Sequence, residues 1–252
     1  MALIIPSLSF ALATSETEPQ VVKVGVVEFP PYIQIENNGQ VSGMIGLVLE
    51  YLNAAQDDYV FQPIPTSAMR RHRDFKNGMY DQSFFDNVEW GWDKSTVDAT
   101  DVYMTGKEIY IALKKPGRGE SYFANFSQKS MVGILGYHYG FAAFNSDPTY
   151  LRKKFNMQTS TSNEGSIKMI LFERGDIAIV SDAFLNEYLK RHPDDRKKLL
   201  ISEKVDQNYN HTIVIRKNTR PSVQEMNTLM SKFKQSKQFK LLQEKYGVQN
   251  SQ

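Results

Sequence analysis

The sequence predicts an α/β protein of two lobes joined by two crossing segments. Three observations carry this expectation. Strand-like and helix-like segments alternate along the 252 residues, the alternation restarts after a dense turn, and the length allows two lobes of about 100 residues each. A hydrophobic content of 41% with 23% charged residues is that of a globular chain rather than a disordered one.

Residues 21–27 (VVKVGVV) are a β-branched run of strand length, stopped by Glu28-Phe29-Pro30-Pro31-Tyr32, whose prolines have no N–H to donate. Asn37-Asn38-Gly39-Gln40 reads as a hairpin turn. In residues 43–55, Ile45, Val48, Leu49 and Leu52 keep the i, i+3, i+4, i+7 stripe of a helix. Residues 59–64 are expected as a second strand, 67–76 as a short basic helix ended by Asn77-Gly78, and 80–85 as a third strand. Residues 108–114 (EIYIALK) alternate as a strand, and Lys115-Pro116-Gly117-Arg118-Gly119 marks a lobe boundary.

The second series starts at residues 131–135, passes Gly136-Tyr137-His138-Tyr139-Gly140, and reaches a helical stretch at 148–154. Thr161 and Glu164 read as a capping box, followed by a helix to Gly175, a buried strand at 176–180 and a helix at 182–190. Residues 212–216 (TIVIR) are a strand, and Arg220-Pro221 opens a long final helix with Val223, Met226, Leu229, Met230 and Phe233 on one stripe. The crossings are expected at 110–117 and 206–212. The first lobe is then 20–112 plus 213–248, and the second 113–212.

Residues 1–13 (MALIIPSLSFALA) form an apolar stretch ending in Ala11-Leu12-Ala13, the small-x-small pattern of a signal-peptide cleavage site. It is too short to span a membrane, so an exported, periplasmic, soluble protein is expected. A formal net charge of +2 without a long basic run leaves no footprint for nucleic acid. The absence of cysteine excludes disulfides, thiolate metal sites and a cysteine nucleophile. The four histidines (72, 138, 192, 211) share no metal spacing, and neither metal nor cofactor is expected.

The strand VKVGVVEFPPYI, the turn and helix NNGQVSGMIGLVLEYLNA, then NGMYDQSFF, VDATDVY, ERGDIAIVSDAF and TIVIRKN together resemble the family 3 extracellular solute-binding proteins, the periplasmic receptors of polar amino-acid ABC transporters. The resemblance covers residues 20 to 248. It implies a two-lobed periplasmic-binding-protein fold of type II that closes on one small solute, with ligand loops at the carboxyl ends of strands. It places Tyr32, with Phe29 nearby, as an aromatic wall. Counting from Asp81, the positions that usually carry small residues are Phe85, Asp86 and Val88. The position of the family's carboxylate-gripping Arg is Asp93, so an ordinary α-amino acid in the usual pose is not expected. Asp182 stands where the family places an acid for the ligand's amino group. Arg70 lies where some members carry a cleft-facing Arg.

Phe29, Tyr32, Tyr137 and Tyr139 lie in Gly/Pro turns at strand ends, which suits a cleft wall for a planar or extended ligand; the alternative is core packing. Asp86 with Asp182 either forms an acidic patch for an ammonium or guanidinium group or consists of solvated or Arg-paired carboxylates. Arg70 either faces the cleft or belongs to a solvated basic face, since Arg71 and Arg73 are expected to point largely to solvent on any helix. Trp90 and Trp92 occupy the stretch of the missing Arg and are expected to bring at least one ring to the cleft by stacking. His138 joins them from the second-lobe loop. The expected function is capture of a small polar, aromatic or cationic solute by a monomer that delivers it to an ABC permease or reports it to a membrane sensor. A chain that ends just after its last helix is not expected to be a sensor module cut from a larger kinase. The rival is a dehydratase-like cleft enzyme using Asp86 with His138 or Asp93, for which no catalytic motif is present.

Overall fold

The computed structural model describes residues 18–247. The apolar stretch at 1–13 and residue 248 lie outside them.

Strand β1 (Gln20–Val26) buries Val22, Val24 and Val26 and lies parallel between β4 (Tyr59–Pro65) and β5 (Gln82–Asp86). Between β1 and β4 run the short hairpin β2 (Gln34–Ile35) and β3 (Val41–Ser42) and helix α1 (Met44–Ala54). Helix α1 buries the expected stripe, Ile45, Val48, Leu49 and Leu52, together with Met44. Its N-terminus has no side-chain cap. Instead Met44 N donates to Pro31 O at 3.0 Å and Ile45 N to Tyr32 O at 2.9 Å, so the Pro loop satisfies the orphan N–H groups. Gly43 permits that approach: its φ is +88°, and a Cβ there would stand 2.7 Å from Pro31 O. Helix α2 (Arg71–Lys76) connects β4 to β5. The short β6 (Val97–Ala99) precedes β7 (Met104–Leu113).

The second lobe sets β8 (Met131–Ile134) parallel to β9 (Met157–Ser160) and to β10 (Ile177–Ser181), with α3 (Pro148–Phe155), α4 (Asn163–Leu171) and α5 (Asp182–Arg191) between and after the strands. All five residues of β10 are buried, as its continuous apolar run requires. Separate hydrophobic clusters, one around Ile109, Ile111, Ile167 and Leu185 and one around Tyr110, Phe123, Tyr139 and Leu151, make up its core. Strand β11 (Leu199–Arg216) and helices α6 (Val223–Phe233) and α7 (Lys237–Tyr246) complete the chain.

Strands β7 and β11 tie the two lobes into one strand order, β4-β1-β5-β11-β7-β10-β8-β9. β11 pairs antiparallel with β7 from Leu199 to His211, and its last residues pair with β5 and β6. β7 pairs with β10 from Glu108 to Ile111. We place the change of lobe where β7 and β11 pair only with each other, at 104–107 and 208–211. Residues 108–111, grouped with the first lobe on the strength of the Pro/Gly turn, thus pair with a second-lobe strand.

The structure differs from the sequence expectations in three local ways. The strand read at 212–216 is the end of an 18-residue strand, because Gln207, Tyr209 and His211 are buried in alternation with exposed Asn208 and Asn210. The cap of α4 is Ser162, whose side chain accepts from Gly165 N at 3.0 Å, and Thr161 lies one residue too early. The final helix is two helices: α6 begins with a capping box of Ser222 and Glu225, and α7 has its own cap, Ser236.

Candidate functional site

A small cavity of about 40 Å³ lies between the lobes. The first lobe supplies Phe29, Arg71, Phe85, Asp86 and Trp90; the second supplies Gly136, Tyr137 and His138; the crossing strands supply Glu108 and Gln207. Pockets that hold small molecules are usually about 300 Å³ or larger. A solute of amino-acid size therefore enters only with movement of the lobes or of the side chains that line the cavity.

Aromatic rings form most of one wall. Phe29 packs edge-on to Trp90 at 6.0 Å and to Tyr137 at 5.7 Å between ring centres. Phe85 closes the end of β5 with φ at +51°, a left-handed conformation that costs a side-chain-bearing residue about 1 kcal/mol or more. Its N–H donates to Tyr103 Oη at 2.7 Å, which helps hold that turn.

The polar part is centred on Arg71, at the start of α2 and 7% exposed. Its Nη2 donates to Trp90 O at 2.9 Å and to His138 Nδ1 at 3.2 Å. A guanidinium only donates, so Nδ1 is the acceptor and the His138 proton sits on Nε2. Burial, with Arg71 and His72 adding repulsion, lowers the His138 pKa to about 3. Arg71 Nη1 lies 3.6 Å from Asp86 Oδ1, and the guanidinium is 5.9 Å from both the Trp90 and Trp92 ring centres. Arg71 Nε is buried with no hydrogen-bond partner, which costs roughly 1–3 kcal/mol. Asp86 is held from all sides, accepting from Ser83 Oγ at 2.8 Å, Asn87 N at 2.8 Å and Trp92 Nε1 at 2.9 Å.

The lobes are bridged directly. Tyr137 Oη donates to Glu28 O at 2.8 Å, and the Arg71 bond to His138 spans the cleft. Gln207 on β11 accepts from Trp90 Nε1 at 3.0 Å and donates to His138 O and to Glu108 Oε2, the latter at 2.7 Å. Glu108 is 3% exposed, and its pKa is raised to about 8, first by desolvation and then by Asp206, with the Gln207 bond opposing. The carboxyl is thus mostly protonated at neutral pH.

No protein-family model matches the chain, and no curated sequence does. Solved structures do. An ABC uptake transporter substrate-binding protein from Streptococcus pneumoniae with bound histidine is similar at TM-score 0.70 and 14% identity, covering 90% of this chain and 92% of that one. The chain has the periplasmic-binding-protein fold. A histidine kinase sensor domain of that fold is similar at TM-score 0.69 and 12% identity, covering 93% and 99%. An ancestral amino acid-binding protein, a precursor of cyclohexadienyl dehydratase, is similar at TM-score 0.65 and 16% identity, covering 90% of this chain and 95% of that one.

In this periplasmic-binding-protein fold, Phe29, Phe85, Asp86, Trp90, Tyr137 and His138 line the cavity, and the remaining candidates do not. Tyr32 packs one layer behind, against His211 at 4.4 Å and Phe85 at 5.5 Å. Tyr139 is fully buried in the second-lobe core, where its Oη accepts from Ile134 N at 2.6 Å, so it is not a cleft wall. Trp92 packs beneath α2 against Phe75 and His72 and meets the site through Asp86 and the Arg71 guanidinium rather than as part of the cavity lining. Asp182 sits at the start of α5, 3.7 Å from Lys107 Nζ, while Asp86 is the Arg-paired carboxylate of the two readings; the two acids do not form a shared patch. The acid/base pair of the enzyme reading is not assembled either, since Asp86 and His138 both hold Arg71.

Two arginine assignments reverse. Arg70 is exposed and Arg71, assigned to solvent, is buried in the cavity. The helix starts only at Arg71, so the run Arg70-Arg71-His72-Arg73 is set by the turn before it. Asp93 is exposed, with its carboxylate accepting from Ser95 N and Oγ, so it meets no ligand carboxylate and the argument from repulsion does not apply. Asp93→Ala is therefore expected to leave solute affinity unchanged in a titration, and a tenfold change would place this loop at the site. Sequence reasoning missed Glu108 and Gln207. Their signal is the alternation in β7 and β11, which turns one carboxyl and one amide inward among apolar neighbours.

Proposed function

We propose that this protein is an exported solute-binding receptor that captures a small polar solute between its lobes by hinge closure. A membrane permease or sensor would read the closed form. The observation that carries the reading is the cavity walled by both lobes and crossed by Arg71, Tyr137 and Gln207 bonds, which separation of the lobes would break. The likeness of fold to transporter receptors and to a kinase sensor domain supports it. The histidine bound by the Streptococcus pneumoniae protein makes amino acids the first class to test.

Arg71 brings a positive pole to this cleft. A solute carboxylate at Nε would supply the partner that atom lacks, and the rings of Phe29, Trp90 and Tyr137 would cover an apolar or planar body. In a thermal-shift screen of amino acids, aromatic acids, small peptides, polyamines and sugars, carboxylate-bearing solutes are expected to raise the melting temperature by several degrees. A ligand at 100 times its dissociation constant adds about 2.7 kcal/mol of stability. A response confined to sugars or polyamines would refute the role of Arg71. Turnover of a bound compound would refute the receptor reading itself.

A further inference from the structure

We propose that Glu108 is the recognition group for a cationic part of the solute, and that binding there expels the carboxyl proton. The inference rests on the receptor reading and names the chemistry its cleft selects. Glu108, on crossing strand β7, lines the same cavity as Arg71. Among the described residues no Lys, Arg or His lies within ion-pair distance of it, and its hydrogen bond comes from the neutral amide of Gln207.

The surrounding groups explain why the carboxyl waits for a cation from outside. The titratable side chains that act on it electrostatically are Asp206 on β11, Tyr110 on its own strand, Tyr137 and Tyr139 of the second-lobe loop, Tyr209 on β11 and Tyr32 of the Pro loop. None is cationic. The two positive or potentially positive groups of the cavity are otherwise engaged: Arg71 faces Asp86 and Trp90 O, and His138 is neutral. Asp206, the acid that acts on it, is occupied by Tyr110 Oη and by the N–H groups of Gly140 and Phe141, so it is not free to take a ligand cation.

A buried, uncompensated carboxyl binds its proton because the anion is poorly solvated; an ammonium or guanidinium placed against it reverses that preference. The solute class is then one with a cation at one end, and the cation's affinity depends on the fraction of Glu108 that is ionised. With a pKa of about 8, that fraction rises about tenfold between pH 6 and pH 7.

Calorimetric titration of the protein with arginine, agmatine and histidine, with citrulline and phenylalanine as uncharged-side-chain partners, tests this at pH 6, 7 and 8. The expected result is a preference for arginine over citrulline, an affinity for arginine that rises about tenfold from pH 6 to 7, and release of close to one proton per ligand, read from the buffer dependence of the heat. Glu108→Gln should abolish the slope and the preference. Its folding is checked by melting: the wild type should lose stability as pH rises from 5 to 8, because the folded carboxyl holds its proton above the unfolded pKa, and the variant should lose less. Equal binding of arginine and citrulline, or a flat pH profile in the wild type, would overturn the role of Glu108 and leave the receptor standing. Binding by no member of the panel would overturn both.

Discussion

Replacing Arg71 with methionine is expected to lower the melting temperature by roughly 6–20 °C. Removing one partner of a buried ion pair costs about 3–5 kcal/mol, and a chain of this size shifts by about 2–4 °C per kcal/mol. The pair with Asp86 is 3.6 Å, longer than a hydrogen bond, so most of the loss comes from leaving the Asp86 anion buried without a compensating charge. The Arg71 bonds to Trp90 O and His138 Nδ1 are lost as well. If this is the cause, adding Asp86→Asn to the same chain should recover part of the loss, because the amide can still accept from Ser83 or Trp92 without carrying charge. Differential scanning calorimetry of the single and double variants decides it. A single variant as stable as the wild type, or a double variant less stable than the single by the full cost of Asp86→Asn alone, would remove Arg71 from the centre of the site. The same single variant should bind carboxylate solutes far more weakly.

Gly140→Ala should detach the second-lobe loop from the crossing strand, with a loss of about 3 kcal/mol or more. A Cβ at Gly140 would stand 2.2 Å from Asp206 O, a backbone atom that has no rotamer to escape through. Relief requires moving either β11 or the loop, and the Asp206 carboxylate bonds to the N–H groups of Gly140 and Phe141 are lost in the movement. Tyr137 and His138 stand just before this glycine and line the cavity, so the variant should also lose solute binding at temperatures where it stays folded. Chemical denaturation and a binding titration at low temperature read the two effects separately. Unchanged binding in the folded variant would show that the loop is positioned by other contacts. The nearest such contact is at Gly136, where a Cβ would lie 3.0 Å from the Ala68 backbone of the first lobe.

Part of the candidate site was legible from turn chemistry (Phe29, Tyr137 and His138), and part only through the resemblance, which led to Phe85 and Asp86 by counting from Asp81. The Pro30-Pro31 loop, the end of β5 and the Gly136–Gly140 segment are loops at strand ends, and Phe29, Phe85, Asp86, Tyr137 and His138 line the cavity from them. Tyr139, in the same Gly-bounded loop, turns into the core because its Oη meets Ile134 N and its ring packs with Phe141. Loop position brings a residue near the cleft but does not say which way it points. The resemblance led to Asp93 by counting without gaps from Asp81, and the intervening turn at Asn87–Trp90 carries that position out to solvent.

The sequence by itself determined the alternation of strands and helices, the core faces of α1, β1 and β10, and the two-lobed class, since hydrophobic period and turn residues act over a few neighbours. Only the tertiary structure decided that Arg71 rather than Arg70 is buried, because adjacent residues on a helix point about 100° apart and the facing wall selects between them. It alone also brought together Glu108 and Gln207, 99 residues apart in the chain, by pairing β7 with β11. The charge state of Glu108 follows from that burial, a property of everything packed around the carboxyl rather than of the segment that carries it.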